Sequence, residues 1–255
     1  MPGTIHFEPL AQLPGVAVVT LSHPGRLGAM SRAMWLALRE VFEAVQRDAT
    51  LRCVVVRGEG GAFCAGGDIS EYPSFRFQPE SLRQFHEAEV WGGLKAMLAC
   101  DVPLVAQIDG ACMGAGVEIA ACCDIRVAAR GSKFGAPIAK LGFPMAPREA
   151  QLVARVLGDT TARDMLLAAS VFDAEQMLAR GFLSQVLAAD EVAAHVLAVA
   201  QRVAALAPQA ARLNKQTLRA LQPPLIEDPH AYDYANSAEH QEGIAAFLGK
   251  RPAAF

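Results

Sequence analysis

The glycine-rich segment Asp109-Gly-Ala-Cys-Met-Gly-Ala-Gly-Val-Glu118 directly follows an apolar run at residues 103–108. A similar segment, Ala62-Phe-Cys-Ala-Gly-Gly-Asp68, comes after the β-branched run at residues 53–56. Glycine at a bend allows positive φ and lets a ligand approach the backbone, and a bend that opens a helix leaves the first N–H groups without partners. Two such bends that face each other would direct two N–H donors at one oxygen atom, which is the arrangement of an oxyanion hole.

Strand and helix patterns alternate around these two turns. Apolar runs predict buried strands at residues 16–21, 53–57, 103–108 and 124–128. Apolar side chains recur at helical spacing over residues 32–47 behind a capping Ser31, and further helices are predicted at 81–99 and from the second turn through Glu118 to Cys122. Because the alternation repeats at roughly 50 residues, we expect an α/β fold of stacked β-β-α units that wind in one direction.

The second half of the chain has a different character. From residue 147 onward alanine and leucine dominate, and β-branched runs become scarce. The pattern predicts helices at 148–157, 160–168, 174–180, 190–206, 209–221 and 231–248. The apolar faces of these helices need a partner, which is either the core or another subunit.

The bulk composition excludes several classes of function. With 255 residues, 53% of them hydrophobic, the chain can bury one sizeable core, or form a core domain with a smaller appendage. Its net charge of −3 and the lack of a basic stripe argue against nucleic acid as a partner. Neither a signal peptide nor a membrane-spanning stretch is evident, so we expect a cytoplasmic protein without a membrane partner. The six cysteines form no C-x-x-C pair and the histidines lack metal-binding spacings, so we expect buried, reduced thiols and no metal site.

Four segments resemble the crotonase superfamily, which is also called the enoyl-CoA hydratase/isomerase family. In chain order they are Leu21-Ser-His-Pro-Gly-Arg-Leu-Gly-Ala-Met30, then Ala62-Phe-Cys-Ala-Gly-Gly-Asp68, then Ile108-Asp-Gly-Ala-Cys-Met-Gly-Ala-Gly-Val-Glu118 with Cys123-Asp-Ile-Arg126, and finally Ala238-Glu-His-Gln-Glu-Gly-Ile-Ala-Ala-Phe247 with Lys250-Arg-Pro252. Each segment is weak evidence by itself. Together, in the family's order and spacing and over most of the chain, they identify it as a member.

This resemblance implies a fold, a substrate and an assembly. It implies a crotonase-like spiral of β-β-α units over residues 1–190 and a helical C-terminal region over residues 191–255 that serves oligomerisation. An acyl-CoA thioester would be the substrate, with no cofactor beyond the coenzyme A of that substrate. The assembly would be a homotrimer or a dimer of trimers. The two oxyanion donors would be the backbone N–H groups of Gly67 and Ala115.

The chemistry of a thioester explains why such donors matter. Its carbonyl oxygen gains negative charge when an α-proton leaves or when a nucleophile adds to the β-carbon, and fixed donors stabilise that enolate. Glu118 is the predicted proton-transfer residue. The family's hydratases use a second glutamate, and Ile138 stands at its position here. Glu149, which lies where the family has a Gly-Gly-Thr stretch, is a possible substitute acid.

The resemblance also predicts contacts with coenzyme A. Arg26 and Lys250 would reach phosphate groups, and the Ala65 carbonyl would accept a hydrogen bond from the adenine amino group. The remaining predicted substrate- and CoA-binding residues are Asp68, Tyr72, Met113 and Gly114.

Three functions stay open from the sequence. Hydration of 2-enoyl-CoA is the first interpretation, Δ3–Δ2 isomerisation of enoyl-CoA is the second, and non-catalytic binding of acyl-CoA is the third. A dehydrogenase is disfavoured because Gly110-x-x-x-Gly114-x-Gly116 lies in mid-chain without a Tyr-x-x-x-Lys motif. A serine hydrolase is disfavoured because no G-x-S-x-G motif occurs.

Overall fold

The four predicted strands lie side by side at the centre of a six-stranded sheet in the computed structural model, which describes residues 2–224 and 228–255. The strands are β1 (Thr4–Pro9), β2 (Val16–Ser22), β3 (Cys53–Gly58), β4 (Leu104–Ile108), β5 (Ala111–Met113), β6 (Ile125–Ala129), β7 (Lys133–Gly135), β8 (Val171–Asp173) and β9 (Gln185–Leu187). The order in the large sheet is β1-β2-β3-β4-β6-β9, and all neighbours are parallel except the antiparallel pair β1 and β2. A short second sheet contains β5, β7 and β8.

Helices cover both faces of the larger sheet. They are α1 (Arg32–Arg47), α2 (Pro79–Gln84), α3 (Trp91–Ala99), α4 (Ala115–Ala121), α5 (Pro147–Leu157), α6 (Asp159–Leu167), α7 (Ala174–Ala179), α8 (Ala189–Ala204), α9 (Pro208–Ala220) and α10 (Ala238–Leu248). The predicted cap of α1 is present, because the Ser31 hydroxyl accepts a hydrogen bond from the Met34 N–H group at 3.3 Å.

The two faces of the sheet bury two apolar clusters. On one face, side chains of β2, β3 and β4 pack against α1, α3 and α4. On the other face, valines of the strands pack against Val192, Val196 and Val199 of α8. The predicted boundary at residue 190, between the core and the C-terminal region, falls in the first turn of α8. Almost all of α8 thus belongs to the predicted C-terminal region, yet this helix packs directly against the sheet.

Two predicted helices differ from the structure. The segment predicted as one helix at 231–248 contains a 3-10 turn at Asp233–Asn236, and α10 starts only after Ser237. Ser237 has an extended backbone, and its hydroxyl accepts from the His240 N–H group at 3.2 Å, so it caps a new helix. The segment predicted as a helix at 81–99 is helical, but a π-helical turn at Phe85–Val90 separates α2 from α3.

Five strands were not predicted: β1, β5, β7, β8 and β9. The last four have only three residues each, which is too short for a periodic pattern to show in the sequence. β8 and β9 lie between helices that were predicted in the second half of the chain.

The sheet topology brings the two glycine turns together. β3 and β4 are parallel neighbours, and each turn follows the carboxyl end of one of them. In an open parallel sheet, the carboxyl ends of the strands form the edge where ligands bind. The described part of the chain contains no helix of sufficient length and apolar character to span a bilayer. All six cysteines are buried and free.

Candidate active site

The two glycine turns pack directly against each other. The Cys64 N–H group donates to the Ala111 carbonyl at 2.9 Å, and the Met113 N–H group donates to the Cys64 carbonyl at 2.8 Å. A Cβ atom on Gly116 would lie 2.6 Å from the Cys64 carbonyl oxygen, so only glycine fits there. Gly114 has a φ of +47° and is the cap of α4.

Two amides at this junction are available to a ligand. The N–H groups of Gly67 and Ala115 donate to no acceptor within residues 2–224 and 228–255. The amides beside them are occupied, since Asp68 donates to the Met30 carbonyl and Gly114 to the Gly135 carbonyl, each at 2.8 Å. Ala115 is the first residue of α4, where helical N–H groups lack a partner within the helix.

Both turns line a cavity of about 530 Å³. This size lies within the range of ligand sites. The cavity contains both predicted oxyanion donors and, from the predicted binding residues, Arg26, Ala65, Asp68, Tyr72, Met113 and Gly114. Most of the remaining wall is apolar and comes from Trp35, Phe85, Val90, Ile138, Leu141, Phe143 and Met145.

Glu118 lies in this cavity, in the first turn of α4, and is buried. Burial raises the pKa of Glu118 well above its ordinary value, and the charge of Glu149 raises it further. A carboxyl group with a raised pKa is suited to general acid–base catalysis near neutral pH.

Glu149 lies in the same cavity and is also buried. It stands in the first turn of α5, which starts at Pro147, one residue before the predicted start. Burial raises the pKa of Glu149 to about 8, since the opposing effect of Arg76 is smaller and the charge of Glu87 adds to the rise. The Glu149 carboxyl group contacts His86 Nδ1 at 2.7 Å. The cavity wall thus carries Glu118 and Glu149 in addition to Asp68, and Ile138 stands at the position where the resemblance would place a second catalytic glutamate.

Sequence reasoning missed the polar cluster next to Glu149. Arg76 is fully buried, lines the cavity, and contacts His86, Tyr234 and His240. The π-helical turn at Phe85–Val90 carries His86 to the cavity wall. These residues come from distant parts of the chain, and no local motif connects them.

The mouth of the cavity carries charged residues. Arg26 forms an ion pair with Asp68 at 2.5 Å and donates to the Ser70 hydroxyl at 2.6 Å. Asp68 also caps the 3-10 turn at Ile69–Ser74, so it has a structural role here. Lys250 follows α10 and does not line the cavity. Its contact with a CoA phosphate stays a prediction, as do the CoA contacts of Arg26 and Ala65.

The described residues contain no group of three histidine, cysteine or carboxylate side chains that could hold a metal ion.

Comparisons with known proteins cover almost the whole chain. A family model described as enoyl-CoA hydratase/isomerase matches residues 12–255. The 2,3-dehydroadipyl-CoA hydratase of Escherichia coli is 30% identical over 242 residues, which cover 92% of this chain and 93% of that protein. A Rhizobium meliloti protein named "Probable enoyl-CoA hydratase" is 30% identical over 246 residues, with 94% of each chain covered.

Solved structures show the same likeness. The crystal structure of an enoyl-CoA hydratase/carnithine racemase from Magnetospirillum magneticum has a TM-score of 0.83 and 34% sequence identity, and covers 100% of this chain and 96% of its own. This similarity over the whole chain confirms the predicted crotonase-like α/β fold.

Proposed function

The chain belongs to the enoyl-CoA hydratase/isomerase family, and from this premise we propose that it is an enzyme that adds water across the double bond of a 2-enoyl-CoA thioester. One observation carries the proposal. Glu118, a buried carboxyl group, lines the same cavity as the available N–H groups of Gly67 and Ala115. Proton transfer and enolate stabilisation can therefore take place at one bound thioester.

In the proposed reaction the thioester oxygen accepts hydrogen bonds from Gly67 and Ala115. The water oxygen bonds to the β-carbon, the π electrons of the double bond move toward the carbonyl group, and the negative charge collects on the thioester oxygen. Because both donors belong to the fixed backbone, they need no rearrangement when this charge appears, and one such donor typically contributes about 10²–10³ in rate. Addition of a proton to the α-carbon then restores the thioester.

Glu118 and Glu149 share the proton transfers in this proposal. Burial raises the pKa of both groups, and ionisation of one opposes ionisation of the other, so the pair does not lose both protons together. When the two carboxyl groups share one proton, the ionised carboxylate takes a proton from the attacking water. The protonated carboxyl group gives its proton to the α-carbon. The proton taken replaces the proton given, and the pair ends the cycle with its proton count unchanged.

Hydration changes no overall oxidation state, so the proposed reaction needs no redox cofactor. The coenzyme A of the substrate is the only cofactor that the proposal includes.

Ile138 favours a second candidate, Δ3–Δ2 isomerisation. An isoleucine cannot transfer a proton, and Ile138 lines the cavity where the family's hydratases have a glutamate. With Glu118 as the one active carboxyl group, it could remove a proton from C2 of a 3-enoyl-CoA and return it to C4. This reaction uses the same enolate and the same two donors.

Glu118→Gln tests the proposal on a panel of 2-enoyl-CoA and 3-enoyl-CoA thioesters, with the products identified by mass. A hydrated product is heavier than its substrate by one water, whereas an isomerised product has the same mass. We expect hydration by the wild type and a fall in kcat of about 10²–10⁴ in the variant, the usual contribution of general acid–base catalysis. Glu149→Gln should reduce hydration as well.

Glu175→Gln is the matched control, because Glu175 is an exposed glutamate that pairs with Arg130 on the surface. It should leave turnover unchanged. Undiminished turnover in Glu118→Gln would remove Glu118 from the mechanism. A wild type that binds acyl-CoA but converts no thioester in the panel would be a non-catalytic binder.

A further inference from the structure

The cavity contains a positive charge that no carboxylate neutralises. Arg76 is 1% exposed, yet it lines the cavity. No carboxylate oxygen of the described chain lies within 4.0 Å of its guanidinium nitrogens. Arg26 and Arg32 differ in this respect, because they form ion pairs with Asp68 and Glu89. A buried charge without an opposite charge is unusual in proteins.

The hydrogen-bond partners of Arg76 are neutral and distant. Arg76 Nε donates to His240 Nε2 at 3.3 Å, Nη1 contacts His86 Nε2 at 3.3 Å, and Nη2 donates to the Tyr234 hydroxyl at 3.4 Å. All three distances exceed the usual length of an N–H···O or N–H···N bond. A guanidinium has five N–H groups, so these contacts leave two N–H groups without an acceptor among the described residues.

Both histidines are neutral at pH 7. Burial lowers the pKa of His86 well below its ordinary value, and the charge of Arg76 lowers it further. Burial lowers the pKa of His240 to about 4. The histidine contacts therefore add no positive charge, and they supply no negative charge to balance Arg76.

Aromatic rings hold the guanidinium in place. Its central carbon lies 4.4 Å from the ring centre of Tyr72 and 4.1 Å from that of Phe143. These contacts are attractive, because the face of an aromatic ring is electron-rich, and they fix the orientation of the side chain. They leave the net charge of the pocket unchanged.

Glu149 does not neutralise Arg76 either. Its carboxyl group contacts His86 rather than the guanidinium. Burial raises the pKa of Glu149 to about 8, so near pH 7 the protonated form prevails. A ligand carboxylate next to Arg76 would thus meet little repulsion from this neighbour.

We propose that Arg76 binds a carboxylate on the acyl group of the substrate, so that the preferred substrates are CoA thioesters of dicarboxylic acids. The thioester oxygen would lie at Gly67 and Ala115 while the free carboxylate pairs with the guanidinium. This inference rests on the proposed use of the cavity for acyl-CoA. Two N–H groups on one guanidinium match the two oxygens of a carboxylate, and such bidentate pairs are strong in an apolar surrounding.

The same arrangement disfavours a plain alkyl chain. An acyl group that ends in a methyl group would fill the cavity and leave Arg76 buried without an anion. Selectivity of this kind has two sources: the unpaired Arg76 charge in the complex with an alkyl thioester, and the ion pair in the complex with a dicarboxylic thioester.

Binding of saturated thioesters by isothermal titration calorimetry tests the inference. Succinyl-, glutaryl- and adipoyl-CoA are compared with butyryl-, pentanoyl- and hexanoyl-CoA, because three lengths sample three positions of the carboxylate. We expect at least one dicarboxylic thioester to bind about tenfold or more tighter than its alkyl counterpart, as for a close interfacial charge pair. Arg76→Gln should abolish that preference by weakening the dicarboxylic thioester about tenfold or more. Arg76→Lys should keep part of the preference.

The control is Arg39→Gln, because Arg39 is exposed and pairs with Glu43 on the surface of α1. It should leave every dissociation constant unchanged. Equal binding of both series by the wild type would overturn the inference. So would an Arg76→Gln variant that keeps the preference, or one that weakens both series equally, since the latter indicates a structural role. If Arg76→Gln does not fold, the affinities of the wild type and of Arg76→Lys for the two series of thioesters still test the inference.

These experiments distinguish failure of the proposed hydratase activity from failure of the proposed role of Arg76. Saturated thioesters bind without any proton transfer, so their affinities do not depend on hydratase activity. A protein that prefers a dicarboxylic thioester but hydrates none contradicts the proposed function alone. A hydratase that shows no preference contradicts the role of Arg76 alone.

Discussion

Gly67 is the residue at which a single methyl group would disturb the proposed oxyanion hole. A Cβ atom there would lie 2.1 Å from the Tyr72 hydroxyl oxygen. The Tyr72 ring cannot easily move aside, because it is buried in edge-on contact with Phe75, Phe85 and Phe143. We expect Gly67→Ala to displace the Gly67 amide and to lower kcat by about 10²-fold, the effect of losing one oxyanion donor. Steady-state kinetics and thermal unfolding, measured on the same preparation, check this.

Gly131→Ala is the matched control, because a Cβ atom at Gly131 would meet no atom within 4 Å. The double variant Gly67→Ala/Tyr72→Phe lacks the clashing oxygen and should recover part of the lost rate, which a double-mutant cycle detects as coupling. Equal kinetics for Gly67→Ala and Gly131→Ala would show that the position tolerates a side chain.

Only part of the candidate site could be predicted at the level of single residues. The two glycine turns predicted a pair of converging backbone amides, with Glu118 a few residues after the second turn, whereas the resemblance to the family assigned the donor role to Gly67 and Ala115. Arg76 and His240 are 164 positions apart in the sequence, and their contact depends on the packing of α10 against the body of the protein. Local patterns carry no information about such a contact.

Among the elements, α9 is distinct because polar contacts rather than buried apolar residues hold it. Asp101, in the turn between α3 and β4, accepts hydrogen bonds from Gln216 and Arg219 of α9, each at 2.8 Å, and from Gln46 of α1 at 2.9 Å. Lys215 of α9 adds an ion pair with Asp124 at 2.7 Å. Asp101 therefore connects three parts of the chain through one carboxylate.

Asp101→Asn should weaken the attachment of α9 to the rest of the protein at neutral pH. At strongly acidic pH it should have little effect on stability. Burial of Asp101 acts to raise its pKa, but the hydrogen bonds from Gln216, Gln46 and Arg219 outweigh burial, and the pKa lies below the ordinary value of 3.8. A group with a lowered folded-state pKa stabilises the fold above its ordinary pKa, and that contribution disappears as the pH falls through the folded-state pKa. We expect Asp101→Asn to lower the free energy of unfolding by about 1–2 kcal/mol at neutral pH.

Thermal unfolding and hydrogen exchange of the α9 amides, each at neutral and at strongly acidic pH, measure this effect. Asp159→Asn is the control, because Asp159 forms an exposed ion pair with Arg163 on α6. A difference between wild type and Asp101→Asn that persists unchanged below the ordinary pKa of aspartate would contradict the assigned cause.

The sequence predicted α9 but not how it is attached. Helical spacing of leucine and alanine identifies a helix, whereas the partners of Gln216 and Arg219 lie more than a hundred residues earlier in the chain. The start of α10 shows a related limit. Ser237 interrupts a segment with continuous helical pattern, because its hydroxyl caps the new helix and its own backbone is extended.

For the whole molecule, the repeated strand–turn–helix pattern was sufficient to predict the α/β fold, because the apolar runs become the parallel strands that align both turns at one edge. The short sheet of β5, β7 and β8 depends on contacts between its strands, and three-residue strands leave no periodic signal. The strand–turn–helix pattern does not predict the assembly, because the assembly depends on surfaces that a single chain leaves exposed.

Those surfaces indicate self-association through the region around α9. Leu213, Leu218 and Leu221 are 51%, 63% and 74% exposed, and α9 contributes no buried residue to its own subunit. Exposed apolar side chains that cluster on one element are typical of an interface. We therefore propose that this region contacts a neighbouring subunit, in an assembly that the resemblance to the family implies is a homotrimer or a dimer of trimers.

Leu218→Ser/Leu221→Ser tests this assembly by light scattering coupled to size-exclusion chromatography. The wild type should elute with three or six times the mass of the chain, and the variant should shift toward the single chain, because each subunit loses apolar area that association would remove from water. Leu167→Ser is the matched control, since Leu167 is 76% exposed but lies at the end of α6. A wild type of single-chain mass would refute the predicted assembly, whereas a variant with unchanged mass would place the interface away from α9.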